Sequence, residues 1–186
     1  EREVTLHSQF SHPAIAKFIG YSPVDFNKQP QPIMMLEYFK NRSLANLIDK
    51  MKKGTKIQGW NDTSKLIIIY GIASAMKYVH EQNILHRDLK PDNVLLDDLY
   101  HPKLTNFGLS IIESNIDRKK IIFGTGPYIA PEVWRFQNYS KASDIYAFAI
   151  LIYELMTTKY AFEDLKDFQI CYQICRNNYR PEIKSS

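Results

Sequence analysis

Long apolar runs are absent from this sequence of 186 residues. The longest apolar stretches, residues 66–73 and 146–153, are far shorter than the ~20 residues that a helix needs to cross a bilayer. A strong excess of one charge is also absent, since 24 Lys and Arg residues stand against 20 Asp and Glu residues. Neither half of the chain is basic enough to indicate a nucleic-acid partner. The sequence therefore predicts no membrane span and no binding to nucleic acid.

Cysteine is scarce as well, because the chain has only Cys171 and Cys175. This pair would supply half of a metal site, but no second Cys/His pair lies nearby at zinc-finger spacing. The alternative, which the usual burial of free cysteine favours, is two reduced thiols on one face of a helix. Since nothing in the sequence calls for an oxidising compartment, we expect a cytoplasmic protein.

What the sequence does contain is the balance of a soluble globular domain, with 45% apolar and 24% charged residues. Apolar spacing predicts a helix over 43–53, a long helix from Asn61 or Asp62 to His80, and a buried helix over 144–156. Residues 1–10 are interpreted as the end of a further helix. Short strands are predicted at 33–39 (buried), 94–96 and 103–105. The inward-facing stripe of the long helix is predicted to be Ile69, Ile72, Ala73 and Met76.

The most informative segment is HRDLKPDN at residues 86–93. Three further patterns follow it in order: Phe107-Gly108, GTGPY at 124–128, and APE at 130–132. Together these four patterns resemble the eukaryotic protein kinase family, whose catalytic loop has the form H-R-D-L-x-x-x-N. The resemblance covers nearly the whole chain, and four matches in the family's order make a chance likeness very improbable.

The resemblance assigns catalytic roles to the HRDLKPDN segment. Asp88 is expected to accept the proton of the substrate hydroxyl and to orient its oxygen for attack on the γ-phosphorus of ATP. Lys90 would place positive charge beside the transferring phosphoryl group. Asn93 would offer an amide oxygen to Mg²⁺. Arg87 is suited to bind a phosphate on the activation loop, and His86 would brace the loop.

Other positions are assigned by the same resemblance. Glu3 would pair with the strand lysine that holds the α- and β-phosphates, although a solvated helix glutamate is the alternative. The family's activation segment would follow Phe107-Gly108 and close with the APE pattern at 130–132. Thr125 belongs to it, and together with Lys90 it indicates serine/threonine specificity. The expected adenine pocket consists of the gatekeeper Leu36, the hinge residues Glu37, Tyr38 and Phe39, and Leu95 beneath the ring. The expected structural residues are His86, Phe107, Gly108, Glu132 and Asp144.

The family implies an α+β, bilobal fold, here mostly the helical large lobe. Residues 1–39 would be a remnant of the small lobe from helix C to the hinge, and residues 40–186 the large lobe. The implied ligands are ATP and Mg²⁺, and the implied partner is a protein substrate with Ser or Thr. The sequence of the helix at 144–157, DIYAFAILIYELMT, resembles that of the tyrosine-kinase-like group.

Asn106 departs from the family pattern, because it occupies the Asp position of the Asp-Phe-Gly motif. That aspartate binds magnesium with a full negative charge, whereas an amide keeps the shape but not the charge. Since metal-mediated stabilisation is worth several kcal/mol, we expect a penalty on the order of a hundredfold to many thousandfold in rate. Asn106 and Asn93 are nevertheless the candidate metal ligands.

Two further departures concern the ends of the sequence. The glycine-rich loop and the lysine-bearing strand of the family are not among these residues, and neither is the arginine with which Glu132 would pair. The first residue is Glu1 rather than Met, so we expect a piece of a longer product. Three interpretations stay open: a serine/threonine kinase, a catalytically impaired pseudokinase that acts as a binding or scaffold module, and a non-functional kinase fragment.

Overall fold

A computed structural model of the protein describes residues 2–115 and 121–183. The N-terminal part of the chain forms helix α1 (Arg2–His7) and a two-stranded antiparallel sheet of β1 (Phe18–Ser22) and β2 (Ile33–Leu36). The strand predicted at 33–39 therefore ends three residues early. The prediction that it is buried is wrong, because Met35 is 41% exposed and the other residues of β2 are half-buried.

The rest of the chain is mostly helical, with two small antiparallel sheets. Strand β3 (Ile84–Leu85) pairs with β6 (Ile111–Ile112), and β4 (Val94–Leu96) pairs with β5 (Pro102–Leu104). The helices are α2 (Leu44–Lys52), α3 (Asp62–Glu81), α4 (Pro131–Phe136), α5 (Lys141–Thr157) and α6 (Asp167–Arg176). No helix within the described ranges is both long and apolar enough to span a membrane.

The starts of the two predicted amphipathic helices are set by side-chain caps. Ser43 precedes α2 and forms a reciprocal capping box with Asn46, and Asn61 precedes α3 and forms one with Ser64. Each box satisfies backbone N–H groups that have no partner inside the helix. Of the two predicted starts of the long helix, Asn61 and Asp62, the structure has Asn61 as the N-cap.

The stripe predicted for α3 is confirmed at Ile72 and Met76, which are buried, and wrong at Ile69 and Ala73. The apolar run Leu66–Ile69 lies near the start of the helix, so spacing alone fits more than one buried face. Packing against β5 selects one of them: Ile69 is only half-buried and Ala73 is exposed. The buried residues of α3 are Ile68, Ile72, Ala75, Met76 and Val79.

Helix α5 packs into two clusters of the core, although the prediction that it is buried is wrong for Ile145 and Met156, which are 52% and 46% exposed. Ala147, Leu151 and Leu155 belong to the main core with α2 and α3, while Ile150 packs in a second cluster with α6. Two acidic residues, Asp144 and Glu154, are each only 1% exposed on this helix. Burying a carboxylate is costly unless hydrogen bonds satisfy it, so both residues mark places where the helix holds another segment.

Candidate active site

Asp144, near the start of α5, binds the backbone of the HRDLKPDN segment. Its Oδ2 accepts a hydrogen bond from the backbone N–H of His86 and its Oδ1 accepts one from that of Arg87, both at 2.9 Å. The Nε2 of His80, at the end of α3, also donates to Asp144 Oδ2 at 2.9 Å. Since Asp144 is buried, these charge-assisted bonds fix where the segment begins.

His86 braces the same segment from inside and is fully buried. Burial lowers its pKa, so the ring is neutral and one nitrogen donates while the other accepts. Nε2 lies 3.2 Å from the Thr105 carbonyl oxygen and donates to it, and Nδ1 accepts from the backbone N–H of Asp88 at 3.3 Å. His86 thus connects the segment to the residue that precedes Asn106.

The carboxylate of Asp88 is the centre of a hydrogen-bond network. Asp88 Oδ1 accepts from Thr125 Oγ1 at 2.9 Å, and Thr125 Oγ1 accepts in turn from Lys90 Nζ at 2.8 Å. Lys90 Nζ is also 3.6 Å from Asp88 Oδ2. Asn93 Nδ2 donates to the Asp88 backbone carbonyl at 2.6 Å and to Asp88 Oδ2 at 3.0 Å. A hydroxyl group therefore lies between a carboxylate and an ammonium group.

The position of Thr125 depends on the residue before it. Gly124 has a φ of +112°, a backbone conformation that L side chains rarely adopt. A Cβ at this position would lie 3.0 Å from the Arg87 carbonyl oxygen, so the two segments approach too closely for a side chain. Glycine at 124 lets the activation segment place Thr125 against Asp88.

Asn106 contacts the network through Asn93. Asn106 Nδ2 donates to Asn93 Oδ1 at 2.9 Å. Asn106 has a φ of +62°, in the left-handed region where asparagine is enriched. We call Asn93 and Asn106 the amide pair.

The amide pair does not fit a magnesium ion held between its two side chains. Mg²⁺ in proteins is bound by one or two carboxylates in near-octahedral geometry, and here both side chains are neutral. The oxygen that Asn93 would give to the metal already accepts a hydrogen bond from Asn106. Within residues 2–115 and 121–183, no group of three or more His, Cys, Asp or Glu side chains could hold a metal ion.

Phe107 connects α1 to the HRDLKPDN segment. It is fully buried and its ring lies 5.1 Å from those of His7 and His86 and 4.7 Å from that of Phe10. Beside it, a Cβ built on Gly108 would be 3.1 Å from Glu3 Oε2, so the Glu3 carboxylate lies directly against Gly108. The predicted structural residue Gly108 therefore meets the predicted nucleotide-binding Glu3.

The side chain of Arg87 is held by one hydrogen bond and two aromatic rings. Its Nε donates to the Leu109 carbonyl at 2.6 Å, and its guanidinium lies 4.9 Å from the Phe123 ring and 5.2 Å from the Tyr139 ring. Burial lowers the pKa of Arg87, and the charge of nearby Arg2 acts in the same direction. The predicted phosphate-binding role of Arg87 stays a prediction.

The predicted adenine residues lie around the junction between β2 and α2. Leu36 ends β2, Glu37 Oε1 accepts from the Lys17 backbone N–H at 2.7 Å, and Phe39 is buried. Leu95, in β4, is bridged to Ser43 just before α2. Within the described ranges, no hydrogen bond or ion pair links these residues to Asp88, Lys90, Asn93 or Thr125. Glu132 lies in the first turn of α4, and its predicted structural role stays a prediction.

Some contacts of the site have no signal in the sequence. His80 is bound to Asp144 although 64 residues separate them. Tyr139 donates to the Phe123 carbonyl at 2.9 Å and stacks on Arg87. Tyr128 OH donates to Glu154 Oε2 at 2.7 Å, which ties the segment after Thr125 to the end of α5. His80 and Tyr139 stand alone in the sequence and gave no reason to single them out. Tyr128 belongs to the GTGPY pattern, but that pattern does not indicate Glu154 as its partner.

Comparison with known proteins decides the family. The model of the protein kinase domain matches residues 1–185. The chain is a member of the protein kinase domain family. An Aurora kinase of Eremothecium gossypii is 34% identical over 88% of this chain and 42% of its own length. The serine/threonine-protein kinase polo of Drosophila melanogaster is 36% identical over 89% of this chain and 28% of its own length.

A third relative extends the match almost to both ends of the chain. The serine/threonine/tyrosine-protein kinase HT1 of Arabidopsis thaliana is 30% identical over 99% of this chain and 45% of its own length. This kinase-domain chain thus spans less than half the length of these three relatives. The predicted α+β, kinase-like fold is confirmed by the family match. The division at residues 39 and 40, and the roles of the individual site residues, stay predictions.

Proposed function

We propose that this chain is a serine/threonine protein kinase domain, which transfers the γ-phosphoryl group of ATP to Ser or Thr hydroxyls of proteins. The observation that supports the proposal best is the hydroxyl of Thr125, held between Asp88 and Lys90. An aliphatic hydroxyl in this place donates its proton toward the carboxylate while its oxygen faces the ammonium group. A substrate hydroxyl bound in the same way would be prepared for attack on phosphorus.

In the proposed reaction, Asp88 acts as the general base. The substrate O–H bond breaks, its proton passes to an Asp88 carboxylate oxygen, and the substrate oxygen forms a bond to the γ-phosphorus as the bond to the ADP oxygen breaks. Lys90 stabilises the negative charge on the transferring group. Asn93 holds Asp88 in place through its two hydrogen bonds.

For ATP itself, we propose the residues around the junction of β2 and α2, together with the Glu3 carboxylate near Gly108. The proposed set is Glu3, Leu36, Glu37, Phe39 and Leu95. The family generally uses Mg²⁺, but the amide pair does not fit that ion, so no step of the reaction is derived through it. We therefore expect transfer to be slow.

A catalytically impaired pseudokinase that serves as a binding or scaffold module is the second candidate. It is favoured by the hydrogen bond between Asn106 and Asn93, which directs an N–H group at the oxygen a metal ion would need. Membership of the tyrosine-kinase-like group and a cytoplasmic location stay predictions.

The two candidates are separated by peptide phosphorylation with the full chain. Wild type, Asp88→Asn and Asp98→Asn would be incubated with labelled ATP and peptides carrying only Ser and Thr or only Tyr as acceptors. The kinase proposal predicts transfer to the Ser/Thr peptides that falls about 10²- to 10⁴-fold in Asp88→Asn, the usual contribution of a general base. The exposed Asp98 serves as the matched control and its variant should keep the wild-type rate. Wild-type transfer no greater than that of Asp88→Asn would favour the scaffold candidate.

A further inference from the structure

The amide pair connects two segments that the active site must hold together. Asn93 closes the HRDLKPDN segment, and Asn106 precedes Phe107 at the start of the activation segment. The bond of 2.9 Å between Asn106 Nδ2 and Asn93 Oδ1 joins them directly, at a distance that leaves no room for an ion between these two atoms. It extends the network that runs through Asp88 and Thr125 to Lys90.

The orientation of both amides follows from Asp88. Asn93 Nδ2 has two acceptors, the backbone carbonyl and Oδ2 of Asp88, which only an NH₂ group can satisfy. The oxygen of Asn93 therefore faces Asn106. Asn106 must then present its own NH₂ group, since two amide oxygens facing each other would be repulsive. Asn93 is buried, so water does not readily replace this bond.

An aspartate at position 106 would change the chemistry of this contact. Its carboxylate oxygen would face Asn93 Oδ1 with no hydrogen to share, and the two oxygens would need a cation between them. Asparagine removes that need by supplying the hydrogen itself. Compared with aspartate, it also carries one negative charge fewer beside Asn93.

We propose that the amide pair takes the place of a divalent cation as the link between the two segments, and that the nucleotide pocket binds a nucleoside triphosphate without its magnesium ion. The proposal concerns binding and stability, and it does not depend on phosphoryl transfer. The site of the kinase domain is then held in its assembled arrangement by its own side chains.

Thermal unfolding of the full chain tests the link. Wild type, Asn106→Asp and Asn27→Asp would be compared in EDTA and in millimolar MgCl₂. Asn27, in the exposed turn between β1 and β2, is the matched control for the added charge. The unfolding temperature of wild type should be the same in EDTA and in MgCl₂, and that of Asn27→Asp should match wild type in both. Asn106→Asp should unfold roughly 2–4 °C lower in EDTA, the shift for one lost hydrogen bond in a domain of this size, and recover with Mg²⁺.

Nucleotide binding tests the second half of the proposal, with an ATP analogue that carries a fluorophore on its ribose. Wild type should bind it equally well in EDTA and in MgCl₂, whereas Asn106→Asp should bind it about tenfold or more tightly in MgCl₂ than in EDTA. Tighter wild-type binding with Mg²⁺, or no binding in either medium, would overturn this half. Two outcomes would overturn the first half of the proposal, the link between the two segments. One is a wild-type unfolding temperature that rises with Mg²⁺, and the other is an Asn106→Asp variant that is as stable as wild type in EDTA.

Discussion

Thr125 and Asp88 lie 37 residues apart in the sequence and are joined by a hydrogen bond of 2.9 Å from the threonine hydroxyl to Asp88 Oδ1. The same hydroxyl accepts from Lys90 at 2.8 Å. One side chain of the activation segment thus orients both the proposed base and the proposed cation. The position of Thr125 is therefore coupled to the geometry of the proposed catalytic groups.

Thr125→Val is expected to lower the rate of phosphoryl transfer about tenfold to a hundredfold, because Asp88 and Lys90 lose the group that aligns them. Thr125→Ser keeps the hydroxyl and should stay close to wild type. The measurement is kcat with a Ser/Thr peptide, alongside the unfolding temperature, which should stay near wild type in Thr125→Ser and fall roughly 2–4 °C for each lost hydrogen bond in Thr125→Val. Equal kcat values for the valine and serine variants would show that the hydroxyl aligns nothing.

Asp144→Ala is expected to destabilise the fold strongly. The backbone N–H groups of His86 and Arg87 would lose their acceptor inside the protein. An unsatisfied buried polar group costs about 1–3 kcal/mol, so the free energy of unfolding should fall by about 2–6 kcal/mol. Urea denaturation measures this loss, and Asp98→Ala, at an exposed turn, is the control that should leave the midpoint unchanged. A loss below ~1 kcal/mol for Asp144→Ala would contradict the anchoring role.

Phe107→Ala should cost about 3–5 kcal/mol of unfolding free energy, the usual range for deleting a buried phenylalanine side chain. The residue is fully buried among the rings of His7, Phe10 and His86. Phe26 is 91% exposed, and Phe26→Ala in the same denaturation experiment should be nearly neutral. Similar losses for the two variants would mean that the ring cluster does not stabilise the domain.

Glu154 should make stability depend on pH. Burial raises its pKa in the folded state, although the hydrogen bonds from Tyr128 and the Ala161 N–H act against this shift. For a carboxyl group whose folded pKa is raised, stability is fully present below the unfolded pKa, near 4.3, and is lost as the pH rises through the folded pKa. Wild type should therefore lose stability relative to Glu154→Gln across this window.

The comparison requires unfolding free energies of both proteins at several pH values from 4 upward. Tyr128→Phe should enlarge the loss, because it removes a hydrogen bond to the charged form of Glu154. A constant difference between wild type and Glu154→Gln over the whole range would contradict a raised pKa.

The sequence predicts the site better where a motif lies in one short segment. Asp88, Lys90 and Asn93 are close in sequence, so the HRDLKPDN pattern already placed them together. Helix existence was also predictable from apolar spacing and caps, as Asn61 shows. The phase of α3 was not, because a run of consecutive apolar residues fits several buried faces until β5 packs against one of them.

Contacts between distant polar residues could not be predicted. The pairing of His80 with Asp144 depends on how helices α3 and α5 pack. The pairing of Tyr128 with Glu154 depends on how the segment after Thr125 packs against α5, and no local pattern records either contact. Asn106 was visible as a departure from the family, but its hydrogen bond was not. The bond to Asn93 follows from the orientation that Asp88 imposes on Asn93, and that orientation exists only in the folded chain.

The most direct test of the account is the rate at which labelled phosphate passes from ATP to a Ser/Thr peptide, measured with Mg²⁺ for wild type, Asn106→Asp and the double variant Asn106→Asp/Asp88→Asn. The account predicts slow transfer by wild type, a gain on the order of a hundredfold or more in Asn106→Asp as the metal ligand is restored, and loss of that gain in the double variant. Equal rates for wild type and Asn106→Asp, or a gain that survives Asp88→Asn, would contradict it.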